Sequence, residues 1–233
     1  MSTPAASPRQ LRSNSTEAPP PSAQQLFNGI RHTILTATGY QEPIYENVDP
    51  SVGSEVAYSL DRDPEVERVR PSIHYSSVTR ILRVHIMPTE IHECHTRWLT
   101  MEFNRMLVSN WLTLAESDAL EISNGLTFES CLQEPYAASS KTPDWYCRVD
   151  TANLPRIVVE SGWSERWPQL NQDSDLWMRG GAPEVQLVLI FHWRKLRGGR
   201  VRGDLQVWDR DALGNANLRQ TEQIFPLPAG GAA

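Results

Sequence analysis

Apolar and polar positions alternate in two distinct rhythms along this chain. Leu26, Ile30, Ile34 and Leu35 hint at a short helix. From Ser76 to Met87 the period shortens to two, with Val78, Arg80, Leu82, Val84 and Ile86 on one face, which predicts a strand. Pro88-Thr89 ends it, and Thr89 is an N-cap candidate with Glu90 and Glu93 in the following turn. Ile91, His95, Trp98, Leu99, Glu102, Phe103, Met106, Leu107 and Asn110 or Trp111 then recur at helical spacing, predicting a long amphipathic helix to about Ala115.

Two alternating segments, A-L-E-I-S and L-T-F-E-S, flank Asn124-Gly125 and read as a hairpin. Strands follow near Asp144–Val149 and Arg156–Ser161. A helix is expected from about Trp167 to Met178, stopped by Gly180-Gly181. Glu184 to Trp193 is a buried strand, and the basic run Arg194 to Arg200 turns it into Gly203–Trp208. A last strand lies near Gln220–Phe225. Helix, hairpin, strand, strand, helix, strand describes an α/β domain with one mixed sheet and helices on both faces.

Composition sets the borders. Residues 1–25 are rich in Pro, Ser, Ala and Thr and read as a disordered leader. Residues 26–75, punctuated by Asp49-Pro50 and Asp63-Pro64, are expected to wrap a domain spanning 76–227, and 228–233 form a flexible tail. No apolar run approaches the roughly 20 residues of a membrane span. The N-terminus lacks the apolar core of a secretory signal, so an intracellular location, cytoplasmic or nuclear, is expected. Three cysteines without framework spacing, Cys94, Cys131 and Cys147, are expected as thiols. The net charge of −6 argues against nucleic-acid binding driven by overall charge.

The chemistry concentrates between Lys141 and Ile190. Asp144 follows Pro143, and Glu160 closes the apolar run Ile157-Val158-Val159. Two acids on neighbouring strands suit a hard divalent cation such as Mg²⁺, which takes one or two protein carboxylates beside substrate phosphate. Such an ion polarises the phosphate and acidifies an attacking water. The Ser161 carbonyl is a further candidate ligand, and Glu90 or Glu93 would complete the shell. The alternative is that Glu160 pairs with Arg166, Arg156 or Arg148 without any catalysis, since a buried carboxylate needs compensation.

Pro143-Asp144, Pro155 to Glu160, Gly162, Ser164, then Leu170, Asp173 and Trp177, together with the Met87 to His92 helix start, resemble the restriction-endonuclease-like PD-(D/E)XK superfamily. Within it the chain is similar to small stand-alone bacterial endonuclease-like domains and to a group of fungal proteins. The likeness covers about residues 75 to 227. It implies a restriction-endonuclease-like core and a metal-dependent nuclease, with Asp144 and Glu160 as catalytic metal ligands, Mg²⁺ as cofactor and nucleic acid as partner. The superfamily's E-x-K would put a lysine where this chain has Gly162, and the chain holds only Lys141 and Lys195. Arg166 is a third cation, but its guanidinium does not serve as a general base.

Loss of that lysine and the acidic net charge favour a degenerate relative acting as a binding or scaffold module. Retention of both acids favours the nuclease. A zinc module built on His85, His92, Cys94 and His95 is a third reading, although helical spacing turns Cys94 away from His92 and His95. Among eight tryptophans, Trp98, Trp111 and Trp177 are assigned to the core by helical spacing. Trp163 and Trp167 are candidates for base stacking but read first as lid packing.

Overall fold

A computed structural model describes residues 21–86, 94–163 and 167–227 of the 233-residue chain. The expectations placed on Thr89, Glu90, Glu93, His92 and Arg166, on most of the leader and on the tail lie outside these residues.

Three helices come first: α1 (Ala23–Thr36), α2 (Pro50–Asp61) and α3 (Pro64–Val69), with the short strand β1 (Ile44–Tyr45) between the first two. Ser22 and Gln25 form a capping box on α1. Asp49 and Asp63 cap α2 and α3 ahead of a proline at the first helical position, so the two Asp-Pro pairs are helix starts. β2 (Ser72–Ser76) and β3 (Ile81–His85) form a hairpin, not the single strand expected from Ser76. The reason is local: the Arg80 N–H bonds the Ser76 carbonyl at 2.8 Å and Arg80 turns left-handed, which puts Val78 on an exposed bend. Leu82, Val84 and Ile86 do share a buried face, and they pack with Ile30, Ile34, Val56, Leu60 and Val66 into one core.

α4 (Cys94–Val108) ends earlier than the periodicity suggests. Asn110 is left-handed, the Trp111 and Leu112 amides close back onto the Met106 carbonyl, and Thr113 with Glu116 opens a separate helix, α5 (Leu114–Asp118). Trp111, beyond the helix end, is 75% exposed and Trp98, within α4, is 44% exposed, so only Trp177 of the three assigned tryptophans is in the core. Gly125 is left-handed at φ 79°, but Asn124-Gly125 is an open bend whose arms do not pair, so the expected hairpin does not form. β4 (Leu120–Ser123) joins β7 (Trp145–Val149), whereas β5 (Phe128–Glu129) joins β6 (Ser140–Lys141) in another sheet.

The remaining elements are β8 (Ile157–Trp163), α6 (Trp167–Asp175) running into a π-helical turn at Leu176–Gly180, β9 (Leu187–Lys195), β10 (Val201–Arg210) and β11 (Ala216–Phe225). Two sheets result, where one was expected. A five-stranded antiparallel sheet runs β1-β3-β2-β6-β5, and a six-stranded mixed sheet runs β11-β10-β9-β8-β7-β4 with β8 and β9 parallel. Helices cover both faces of the mixed sheet. Leu99 of α4 packs with Trp145, Cys147, Val159 and Phe191 on one side. Leu170 of α6 and Trp177 pack with Tyr146, Val158, Val188 and Ile190 on the other. Among the described residues no helix is long and apolar enough to cross a membrane.

Candidate functional site

The register Trp145↔Val159 sets Asp144 beside Glu160, on the sheet face covered by α6. Glu160 follows the fully buried Val158 and Val159 and is itself 3% exposed. Asp173 and Trp177 are four residues apart on α6 and its π turn, Trp177 directed at that carboxylate and Asp173 at the lysine beside it. Lys141 comes from the end of β6, one proline-containing step before the chain enters β7.

These groups close on one another. Lys141 Nζ lies 3.0 Å from Glu160 Oε2 and 3.1 Å from Asp173 Oδ2. The Trp177 indole N–H donates to Glu160 Oε1 at 2.6 Å. Arg83, on β3, donates to Asp173 Oδ1. Asp144, half-buried, accepts the Ser161 backbone N–H at 2.6 Å. Lys141 is 1% exposed and Asp173 5%. The small cleft above them is lined by His74, Arg83, Lys141, Gln172 and Asp173, between the five-stranded sheet and α6.

Electrostatics follow from burial and neighbours. Burial pushes the Glu160 carboxyl up to about 8 in spite of Lys141, with Asp173 and Asp144 adding to the rise. Burial also works against charge on Asp173, but Arg83 and Lys141 outweigh it and hold that carboxyl low. Lys141 loses hydration by burial, and Asp173 and Glu160 more than restore its proton affinity. Burial thus favours the protonated form of Glu160, while Arg83 and Lys141 favour the charged form of Asp173.

Each expected site residue can now be placed. Asp144 and Glu160 are brought together, and of the cations Lys141 joins them. Lys195 sits exposed at the far hairpin tip. Arg148 pairs with Glu121 at 2.6 Å and Arg156 donates to the Glu184 carbonyl, so neither compensates Glu160. His85 faces Glu42 at 3.2 Å, whereas His95 stacks on Phe191 in the other core, so the zinc grouping does not form among the described residues. Burial raises the Cys147 thiol to about 11. Arg83 and the acid–lysine role of Asp173 were missed. Their signals were an arginine alternating with Leu82 and Val84 on a strand buried on both faces, and an acid three residues after Leu170 on an inward helix face.

A Mg²⁺ ion asks for carboxylate oxygens open to it at about 2.0–2.1 Å in octahedral array. Here both Glu160 oxygens face protein donors and an Asp144 oxygen is tied to Ser161. Among the described residues no set of three or more His, Cys, Asp or Glu side chains is arranged to hold a metal. The donor set as it stands does not fit the ion. No family model, no curated protein and no solved structure matches this chain.

Proposed function

We propose that this chain is a catalytically silent relative of the restriction-endonuclease-like fold that works as a binding or scaffold module. The fold reading is supported by element order: antiparallel β7 and β8, a helical crossover through α6, then β9 parallel to β8. One observation carries the loss of catalysis. Glu160 is enclosed, with Trp177 on one oxygen and a 1%-exposed Lys141 on the other, so a scissile phosphate has no approach to it. A buried ion cluster of this kind specifies how elements meet.

A second reading, a metal-dependent nuclease acting on nucleic acid through Asp144 and Glu160, is favoured by the convergence of Asp144, Glu160 and Lys141 from separate strands. Incubation with single- and double-stranded DNA and RNA in Mg²⁺ or Mn²⁺ separates the two. The silent-fold reading expects no metal-dependent cleavage by the wild-type chain. Cleavage that disappears in both Asp144→Asn and Glu160→Gln would establish the nuclease instead.

A further inference from the structure

The end of the mixed sheet formed by the β9–β10 hairpin carries a second chemistry. Between Arg194 and Arg202 the chain places five basic residues and no acid, in a protein of net charge −6. Asp204 answers two of them, Arg194 at 2.7 Å and Arg202 at 2.8 Å. Lys195, Arg197 and Arg200 are exposed and pair with no carboxylate among the described residues. Gly198 and Gly199, left-handed at φ 75° and 74° with open space where a Cβ would stand, leave the backbone bare between Arg197 and Arg200.

Aromatic rings adjoin this tip. Trp163 and Trp193 are registered partners on the parallel strands β8 and β9, so they are neighbours on the face covered by α4. The Trp193 ring lies over Gly203, where a Cβ would come within 2.4 Å, and it stacks near-parallel to Phe191 with centroids 6.5 Å apart. Trp98, 44% exposed, meets Phe191 edge-on. A half-exposed indole held flat over Gly203, with two further half-exposed indoles beside the same cations, is what a single strand uses: bases stack while phosphates are neutralised.

We propose that this surface binds single-stranded nucleic acid, with Lys195, Arg197 and Arg200 on the phosphates and Trp193, Trp163 and Trp98 against the bases. It lies on the opposite sheet face from Glu160 and does not depend on the silent-site reading. The test uses the full chain in EDTA, titrated into fluorescein-labelled DNA and RNA single strands of about 12 nucleotides, read by anisotropy and by tryptophan quenching. Wild type should bind with quenching. The triple variant Lys195→Ser, Arg197→Ser, Arg200→Ser, with its fold checked by circular dichroism, should bind about 10-fold or more weakly. Its slope of log affinity against log salt should shrink by about 2. Failure of the wild-type chain to bind at low salt, or equal binding by the triple variant, would overturn the proposal. So would binding to phosphatidylserine vesicles but not to oligonucleotides, and so would binding of a duplex as tight as of the single strand without quenching.

Discussion

At the residue scale the decisive group is Glu160, whose oxygens meet an indole N–H and an ammonium while its burial drives the proton onto it. Its folded-state carboxyl stands at about 8 against an ordinary 4.5. Between those values the folded chain holds a proton that the unfolded chain has released, so this group's contribution is complete below the lower value. It is lost as pH rises through the upper one. Asp173 has the opposite sign: held low, it contributes above the ordinary aspartate range and loses that contribution as pH falls. Unfolding free energies from urea titrations between about pH 5 and about pH 9 should therefore decline for wild type by more than for Glu160→Gln, by a few kcal/mol across the window. Parallel profiles for the two proteins would show Glu160 to be ionised in the fold.

At the element scale the unit that presents Trp177 is α6 with its π turn, and its stop at Gly181 is steric. A Cβ on Gly181 would stand 2.4 Å from Val185 Cγ2 and 2.5 Å from the Trp177 carbonyl oxygen, and a backbone atom does not yield. Gly181→Ala should cost about 2 kcal/mol or more. Gly125→Ala, strained only by its φ of 79° in open space, should cost about 1 kcal/mol. Thermal melts of the two variants rank them, and equal losses would contradict the packing argument.

The same elements show what the residue pattern discloses. β7, β8, α6 and β9 were legible because apolar runs, glycines and helical spacing agree there. The L-x-x-D-x-x-x-W pattern became physical once Leu170, Asp173 and Trp177 fell on one buried face. The α4 boundary was obscured because apolar spacing continues through Asn110, although the Thr113–Glu116 capping box was readable. Asn124-Gly125 does bend the chain, but which partners its two arms find is a long-range matter that local alternation does not encode.

At the scale of the whole molecule the ion cluster is the joint between the two sheets. Arg83 and Lys141 come from the five-stranded sheet, while Glu160 lies in the mixed sheet and Asp173 on the helix covering it. Phe128 of β5 adds an apolar link, meeting Tyr146 and Trp177 edge-on. The chain itself crosses from one sheet to the other between Lys141 and Trp145, which is why the lysine arrives there. Removing one partner of a buried charge pair costs about 3–5 kcal/mol. Lys141→Met, close in length but uncharged, should lower the unfolding free energy from urea titration by an amount in that range, and an unchanged unfolding free energy would deny the cluster its joining role.

On the reading proposed above, Glu160, Lys141 and Asp173 form a closed core cluster, with half-buried Asp144 at its edge, in place of a metal centre. Calorimetric titration of Mn²⁺ into the wild-type chain at neutral pH tests it most directly. No saturable heat is expected, with the same trace for wild type, Asp144→Asn and Glu160→Gln. Saturable binding to wild type that both substitutions abolish would contradict it.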